Sequence, residues 1–412
     1  MVTPERVGMS AARLARIQPT IEKYLADDKI AGAVTLVARR GEVVHLESMG
    51  LMDREQNKPM RPDAIFRIYS MTKPIVCAAF MTLYEQGGFQ LTDPASNFIP
   101  AFNDLQVYAG GEGEHMELVD LCRPVTVRDL LTHTSGITYP FLEYGPVEAL
   151  YRRARVSSQK PLPEFVADIL RMPLALQPGT AFRYSMAHDV VAYLIEVIGG
   201  QRLDAYLREN LFEPLGMVDT GFYVPHDKLD RFTAMYGTGE ILDPNMSMTR
   251  LYADVATAGS HLIAGPTDSL ESKPHRIFRG GYGLVSTAQD YYRFSQMLLN
   301  GGELDGNRVL GRKTVELMVT NHLQPEWMPY EIGGVYSPGY GFGLGMRVLV
   351  DVGQAQIPGS VGEFGWGGAA STYFWVDPQE QFIGVQMAQF QPNHYYQIAN
   401  DFRVAAYQAI VD

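Results

Sequence analysis

Over residues 10–26 the apolar residues Leu14, Ile17, Ile21 and Leu25 recur every three or four positions. That spacing predicts an amphipathic helix with one buried face. The pattern then changes. Residues 31–38 read as a strand, Arg40-Gly41-Glu42 as a turn, and residues 43–46 as the answering strand of a β-hairpin. His45 falls at a surface position of that second strand. From Met71 to Glu85 the helical period returns, with Ile75, Val76, Ala79, Phe80 and Leu83 on one face, and it ends at Gly87-Gly88.

From about residue 89 to 279 strand signals are sparse. Helical periods are clearest at 162–170 and 190–198, and residues 125–131 read as a short helix capped by Thr126. Residues 237–274 are rich in Gly, Ser, Thr and Met and are expected to form a loop over a site. Order resumes at 282–299, where Ser286 or Thr287 with Asp290 makes a helix-start signature. Residues 313–321 add a short helix. Residues 340–348, 371–376 and 382–387 read as strands, with a turn at 377–380, and residues 395–410 as a closing helix. The chain thus leaves a sheet and returns to it, which builds one sheet from both ends. Residues 1–88 and 276–412 are expected to form a discontinuous α/β domain, residues 89–275 a helical insertion, and the cleft between them the site.

Composition narrows the partners. With 412 residues, 46% hydrophobic and 19% charged, the chain is globular and long enough for a large core. A dispersed net charge of −12 argues against nucleic acid or an anionic membrane as a partner. Two cysteines, Cys77 and Cys122, do not indicate a disulfide framework. There is no basic-then-apolar start and no apolar run of membrane-spanning length, so a cytoplasmic location is expected by default.

Candidate chemistry begins with Ser70-x-x-Lys73, which opens the 71–85 helix. Serine is a good helix N-cap, and Pro74 suits only a first turn. Residues three apart share a helix face, so the Lys73 amine is expected beside the Ser70 hydroxyl. A serine nucleophile needs a base within reach, and a buried lysine gives up its proton readily. The helix N-terminus offers N–H groups to an oxyanion. Such a short motif also arises by chance; Ser157-x-x-Lys160, in a charged, proline-bounded connection, is read that way.

A third group would shuttle the proton. A tyrosine beside an ammonium has its phenolate favoured and can serve as a base. Tyr184, in a turn-rich connection before the 190–198 helix, is the best placed, although residue chemistry does not separate it from Tyr139, Tyr144 or Tyr282. The residues from Gly365 to Ala370 lead into a strand, where glycines let a substrate approach backbone N–H groups; a β-bulge is the plainer explanation. His133 reads as a structural histidine bonding loop backbone, and His188-Asp189 as part of a helix start. Gly-x-Ser-x-Gly, His-Glu-x-x-His, a cysteine cluster and a phosphate-cradling glycine loop are all absent from the sequence, so the chemistries they carry are unsupported.

Taken in order, Ser70-Met71-Thr72-Lys73, His133-Thr134-Ser135-Gly136, Pro178-Gly179 leading to Tyr184-Ser185, Pro214-Leu215-Gly216-Met217-x-Asp219-Thr220 and Trp366-Gly367-Gly368 form a set. That set resembles the class C β-lactamase-like serine hydrolases, and most closely the family VIII carboxylesterases. The resemblance implies an α+β, DD-peptidase-like fold: a mostly antiparallel sheet flanked by helices, plus a helical domain. It implies Ser70 as nucleophile, Lys73 as its partner in proton transfer and Tyr184 as general base. The oxyanion hole falls to the backbone N–H groups of Ser70 and Ala369. Trp366, Gly367, Gly368, Tyr139 and Met186 are expected to contact substrate. No metal or organic cofactor is implied, and the expected partner is a small-molecule ester.

Two positions depart from the lactamase pattern. Met186 stands where lactamases carry an asparagine that helps hold a side-chain amide, and Trp366 where they carry a lysine that supplies positive charge. Both departures favour neutral, apolar esters over penicillins, and they leave Lys73 and Tyr184 to titrate as a coupled pair. The expected activity is ester hydrolysis through an acyl-serine. Acyl transfer to an alcohol or amine, weak β-lactamase or D-peptidase activity, and a silent binding protein on the same scaffold are the alternatives. Retention of the serine, lysine and tyrosine counts against the last.

Overall fold

The computed structural model describes residues 1–156, 159–243 and 245–412. Ser157, which begins the second Ser-x-x-Lys, lies outside them. An eight-stranded sheet forms the spine. Its strands are β1 (Gly32–Arg39), β2 (Glu42–Asp53), β3 (Lys58–Pro59), β4 (Tyr340–Phe342), β5 (Arg347–Leu349), β6 (Phe364–Gly368), β7 (Thr372–Asp377) and β8 (Phe382–Ala388). They lie in the order β4-β5-β6-β7-β8-β1-β2-β3, each antiparallel to its neighbours. The two ends of the chain meet where β1 pairs with β8, Val34 opposite Met387.

β1 is buried along its whole length because both faces of the sheet are covered. Val34, Leu36 and Ala38 face a core shared with helices α2 (Thr72–Glu85) and α4 (Ala288–Leu299). Ala33 and Val37 face a second core, with α1 (Ile17–Ala26) and α5 (Ile398–Tyr407). Trp375 of β7 anchors that second core, edge-on to Phe402 and stacked on Tyr407. α2 also packs against α3 (Ala187–Gly199), which ties the sheet to the middle of the chain.

Capping signals in the sequence hold. Thr126 and Asp129 form a reciprocal capping box, and the Thr287 hydroxyl accepts the Asp290 N–H. Several other expectations are corrected. The 10–26 helix is broken: Ser10 caps a single turn, Ala11–Leu14, before α1 begins. His45 is buried, its Nε2 2.8 Å from the Thr35 hydroxyl on the neighbouring strand. Residues 340–348 are a hairpin, because Gly345 turns the chain at φ +94°, where a Cβ would lie 2.5 Å from Cys77 Sγ. The closing helix starts only at Ile398.

The middle of the chain holds strands that periodicity missed. Gln106–Gly110 pairs with Glu117–Asp120, and Met235–Gly237 pairs with His261–Ala264 and Phe390–Gln391. These strands run two to five residues, too short for an alternation to register. The expected loop at 237–274 likewise contains a helix, Met248–Ala258. No helix among the described residues is long and apolar enough to cross a membrane.

Candidate active site

Ser70 does not cap α2. It sits in a short 3-10 turn, Tyr69–Met71, and α2 begins at Thr72. The turn is set by Tyr69, which adopts φ +41°, a costly left-handed conformation for a bulky residue. Tyr69 is buried and its hydroxyl donates to Glu240 Oε2 at 2.7 Å, so the 237–274 segment helps hold the strained turn. Gly368 closes the other side. Its Cα packs so tightly on the Ile68 carbonyl that a Cβ there would overlap it, which brings the end of β6 against the Ser70 turn.

Three side chains distant in sequence meet at this turn. Tyr184 Oη donates to Ser70 Oγ at 2.7 Å. Lys73 Nζ lies 3.1 Å from Ser70 Oγ, 3.2 Å from Tyr139 Oη and 2.7 Å from the Gly281 carbonyl oxygen. The ammonium position also sits over the Tyr184 ring, 4.6 Å from its centroid. Tyr139, which residue chemistry left level with Tyr184, touches the lysine and not the serine.

Burial sets the protonation states. It pulls the Lys73 amine down to about 7, with Asp189 and Cys77 opposing. It pushes the Tyr184 phenol up, against the hydrogen bond with Ser70. The expectation that a neighbouring ammonium would favour the phenolate is therefore corrected: burial is the largest influence on both groups, raising the phenol and lowering the amine. Burial also keeps His133 and His188 neutral. His133, at φ +57°, pairs its Nδ1 with Ser185 Oγ at 3.0 Å and packs its ring edge-on to Tyr184, a structural role behind the site.

Two contributors escaped the sequence reading. Gly281 supplies the carbonyl that receives Lys73, and its own N–H donates to Asp189 Oδ1 at 3.0 Å. Asp189 is fully buried, and a Cβ on Gly281 would lie 2.8 Å from its Oδ2. Asp189 read as a helix-start residue because it does occupy the first turn of α3; its partner 92 residues on leaves no local signal.

A cavity of about 620 Å³ opens over Ser70. Tyr139, Tyr184, Trp366, Gly367 and Ala369 line it, and Ile241, Leu242, Met248 and Leu251 form an apolar wall. The segment expected to lie over a site does so. Two expected substrate contacts do not line this cavity. Gly368 is spent on the Ile68 contact, and Met186 is buried at the N-cap of α3, facing only a small side pocket with Tyr139 and Phe141.

The family described as Beta-lactamase matches residues 17–408. Esterase EstB of Burkholderia gladioli is 31% identical over 388 residues, 91% of this chain and 90% of that protein. Lovastatin esterase of Penicillium rubens is 28% identical over 389 residues, 89% of this chain and 90% of that protein. Among solved structures EstCE1, described as a hydrolase with promiscuous acyltransferase activity, aligns with a TM-score of 0.80 at 27% identity, over 96% of this chain and 99% of its own. The antiparallel sheet flanked by helices is the fold shared by β-lactamase-like and penicillin-binding proteins. The chain belongs to the beta-lactamase family, beside the family VIII esterases within it.

Proposed function

We propose that this protein hydrolyses small carboxylic esters in two steps through an acyl-serine at Ser70. The observation that carries the reading is the double contact on one hydroxyl: Ser70 Oγ is 2.7 Å from Tyr184 Oη and 3.1 Å from Lys73 Nζ. A neutral amine has two N–H bonds and one lone pair. With its N–H groups directed to the Gly281 carbonyl and to Tyr139 Oη, the lone pair faces Ser70. Lys73 then takes the Ser70 proton as Oγ attacks the ester carbonyl.

Charge developing on the carbonyl oxygen is met by the backbone N–H groups of Ser70 and Ala369, two residues that both line the cavity. Tyr184, protonated and in contact with Oγ, passes its proton to the departing alkoxide, and the Lys73 ammonium restores it. Water attacks the acyl-serine, its proton returns through the same pair to Oγ, and the acid leaves. The net change is ester plus water to acid plus alcohol. Replacement of Ser70 by alanine, with folding checked by circular dichroism, should abolish hydrolysis of p-nitrophenyl butyrate; wild-type turnover by that variant overturns the reading.

Acyl transfer is the second reading. The cavity is apolar-walled and large for a single short acyl group, and EstCE1 is described as having promiscuous acyltransferase activity. An alcohol held there would intercept the acyl-serine in place of water. Butyl ester formed from p-nitrophenyl butyrate and added butanol would support it, and a product mixture of butyrate alone would count against it.

A further inference from the structure

The cavity that Ser70 and Trp366 line also reaches Tyr340, Arg347, Tyr373 and the start of α5 at Gln397 and Asn400. Strand register explains how. Arg347 on β5 pairs with Gly365, and Gly367 pairs with Tyr373 on β7. Paired residues of antiparallel strands share a face and successive residues alternate. Arg347, Gly365, Gly367 and Tyr373 therefore lie on the sheet face opposite Trp366. Two glycines on that face leave the end of β6 bare of side chains.

Arg347 is half-buried there, its guanidinium over the rings of Tyr340 and Tyr373 at 4.3 and 5.0 Å from their centroids. Among the described residues its guanidinium makes no direct ion pair and no side-chain hydrogen bond, though it lies close enough to buried Glu363 to favour that carboxylate's charged form. The nearby acids have closer partners. Glu363 is bound at 2.6 Å by both Arg403 and Tyr407, and Asp401, which also lines the cavity, pairs with Lys23 at 2.5 Å and accepts Tyr24 Oη at 2.6 Å. A guanidinium stacked on aromatic faces keeps its in-plane N–H fork open, and that fork fits a planar carboxylate with two parallel hydrogen bonds. A carboxylate received there would give the guanidinium the direct partner that the protein does not supply.

We propose that Arg347 anchors a free carboxylate on the substrate, so that the preferred substrates are esters that also carry an acid group away from the scissile bond. This rests on the ester-hydrolase reading of the Ser70 site and deepens it. On this proposal the positive charge absent at Trp366 comes from the opposite face of β6, in place of the preference for wholly neutral esters expected from Met186 and Trp366.

The test is equilibrium binding to the Ser70→Ala protein, where turnover plays no part. Monobenzyl esters of succinic, glutaric and adipic acids are titrated calorimetrically against the matching benzyl methyl diesters. At one chain length or more the half-ester should bind roughly tenfold tighter or better, the worth of a charge-assisted pair. Adding Arg347→Met should bring the ratio to about one, and Arg347→Lys should recover part of it. Equal affinity for half-ester and diester at every length overturns the proposal, as does an Arg347→Met protein that keeps the preference. Turnover of neutral p-nitrophenyl butyrate by the wild type tests the hydrolase reading separately.

Discussion

Lys73 Nζ lies closer to the Gly281 carbonyl oxygen, at 2.7 Å, than to Ser70 Oγ, at 3.1 Å. A carbonyl can only accept, so this contact commits one N–H of the amine; with the second on Tyr139 Oη, the lone pair of the neutral amine is left facing Ser70. The serine is thus served by a lysine whose orientation is set from the opposite side of the site. Asp189 completes the arrangement by holding the Gly281 N–H at 3.0 Å.

Activity should follow the neutral form of Lys73. Its amine is pulled down to about 7 by burial, so below that pH it is an ammonium and cannot accept the serine proton. The value of kcat/KM for a neutral ester should rise about tenfold per pH unit below 7 and level off above it, reporting the free enzyme. A stopped-flow pH profile that stays flat from pH 5 to 8 contradicts this assignment.

Tyr184→Phe keeps the ring packed beside His133 and removes only the hydroxyl that donates to Ser70. Loss of a general acid–base group costs about 10²- to 10⁴-fold in rate. We expect kcat to fall in that range with the thermal midpoint nearly unchanged. A loss of less than threefold, on a roughly threefold scale of assay discrimination, would remove Tyr184 from the reaction.

Asp189→Asn preserves an acceptor for the Gly281 N–H and deletes the nearby negative charge that favours the Lys73 ammonium. Removing that charge lowers the lysine further, so the rising limb of the pH profile should move to lower pH. An unmoved limb would leave Asp189 a packing residue.

Gly368→Ala puts a Cβ in overlap with Thr372 Oγ1 and with the Ile68 carbonyl oxygen, a backbone atom that cannot swing aside as the end of a side chain can. Overpacking of this kind costs about 1–3 kcal/mol. The change should lower stability by that amount in urea unfolding and reduce kcat by misplacing the end of β6 against the Ser70 turn. Unchanged stability and kcat would show that this close approach is dispensable.

The sequence made some of this legible and hid the rest for identifiable reasons. β1, β2, β7 and β8 carry enough successive apolar residues to read as strands, and Thr126 and Thr287 announce their helices through side-chain caps. Ser70, Lys73 and Tyr184, which the structure brings into contact, stand out as candidates in the sequence because two are three residues apart and the third sits in an ordered set of motifs. Ser70 does not cap the helix: it sits in a turn strained at Tyr69 and braced by a tertiary bond to Glu240, which no local pattern encodes. Gly281 contributes through its backbone carbonyl and N–H, which no motif announces. Arg347 looks like any strand arginine until register puts it beside two tyrosines and the cavity.

The central claim is that Ser70 carries the acyl group. The direct measurement is peptide mass spectrometry after reaction with a fluorophosphonate that mimics the tetrahedral intermediate. One adduct should appear on the peptide containing Ser70, in step with loss of esterase activity, and none should form on the Ser70→Ala protein. Inactivation that tracks an adduct on another residue, with Ser70 unmodified, would contradict the account.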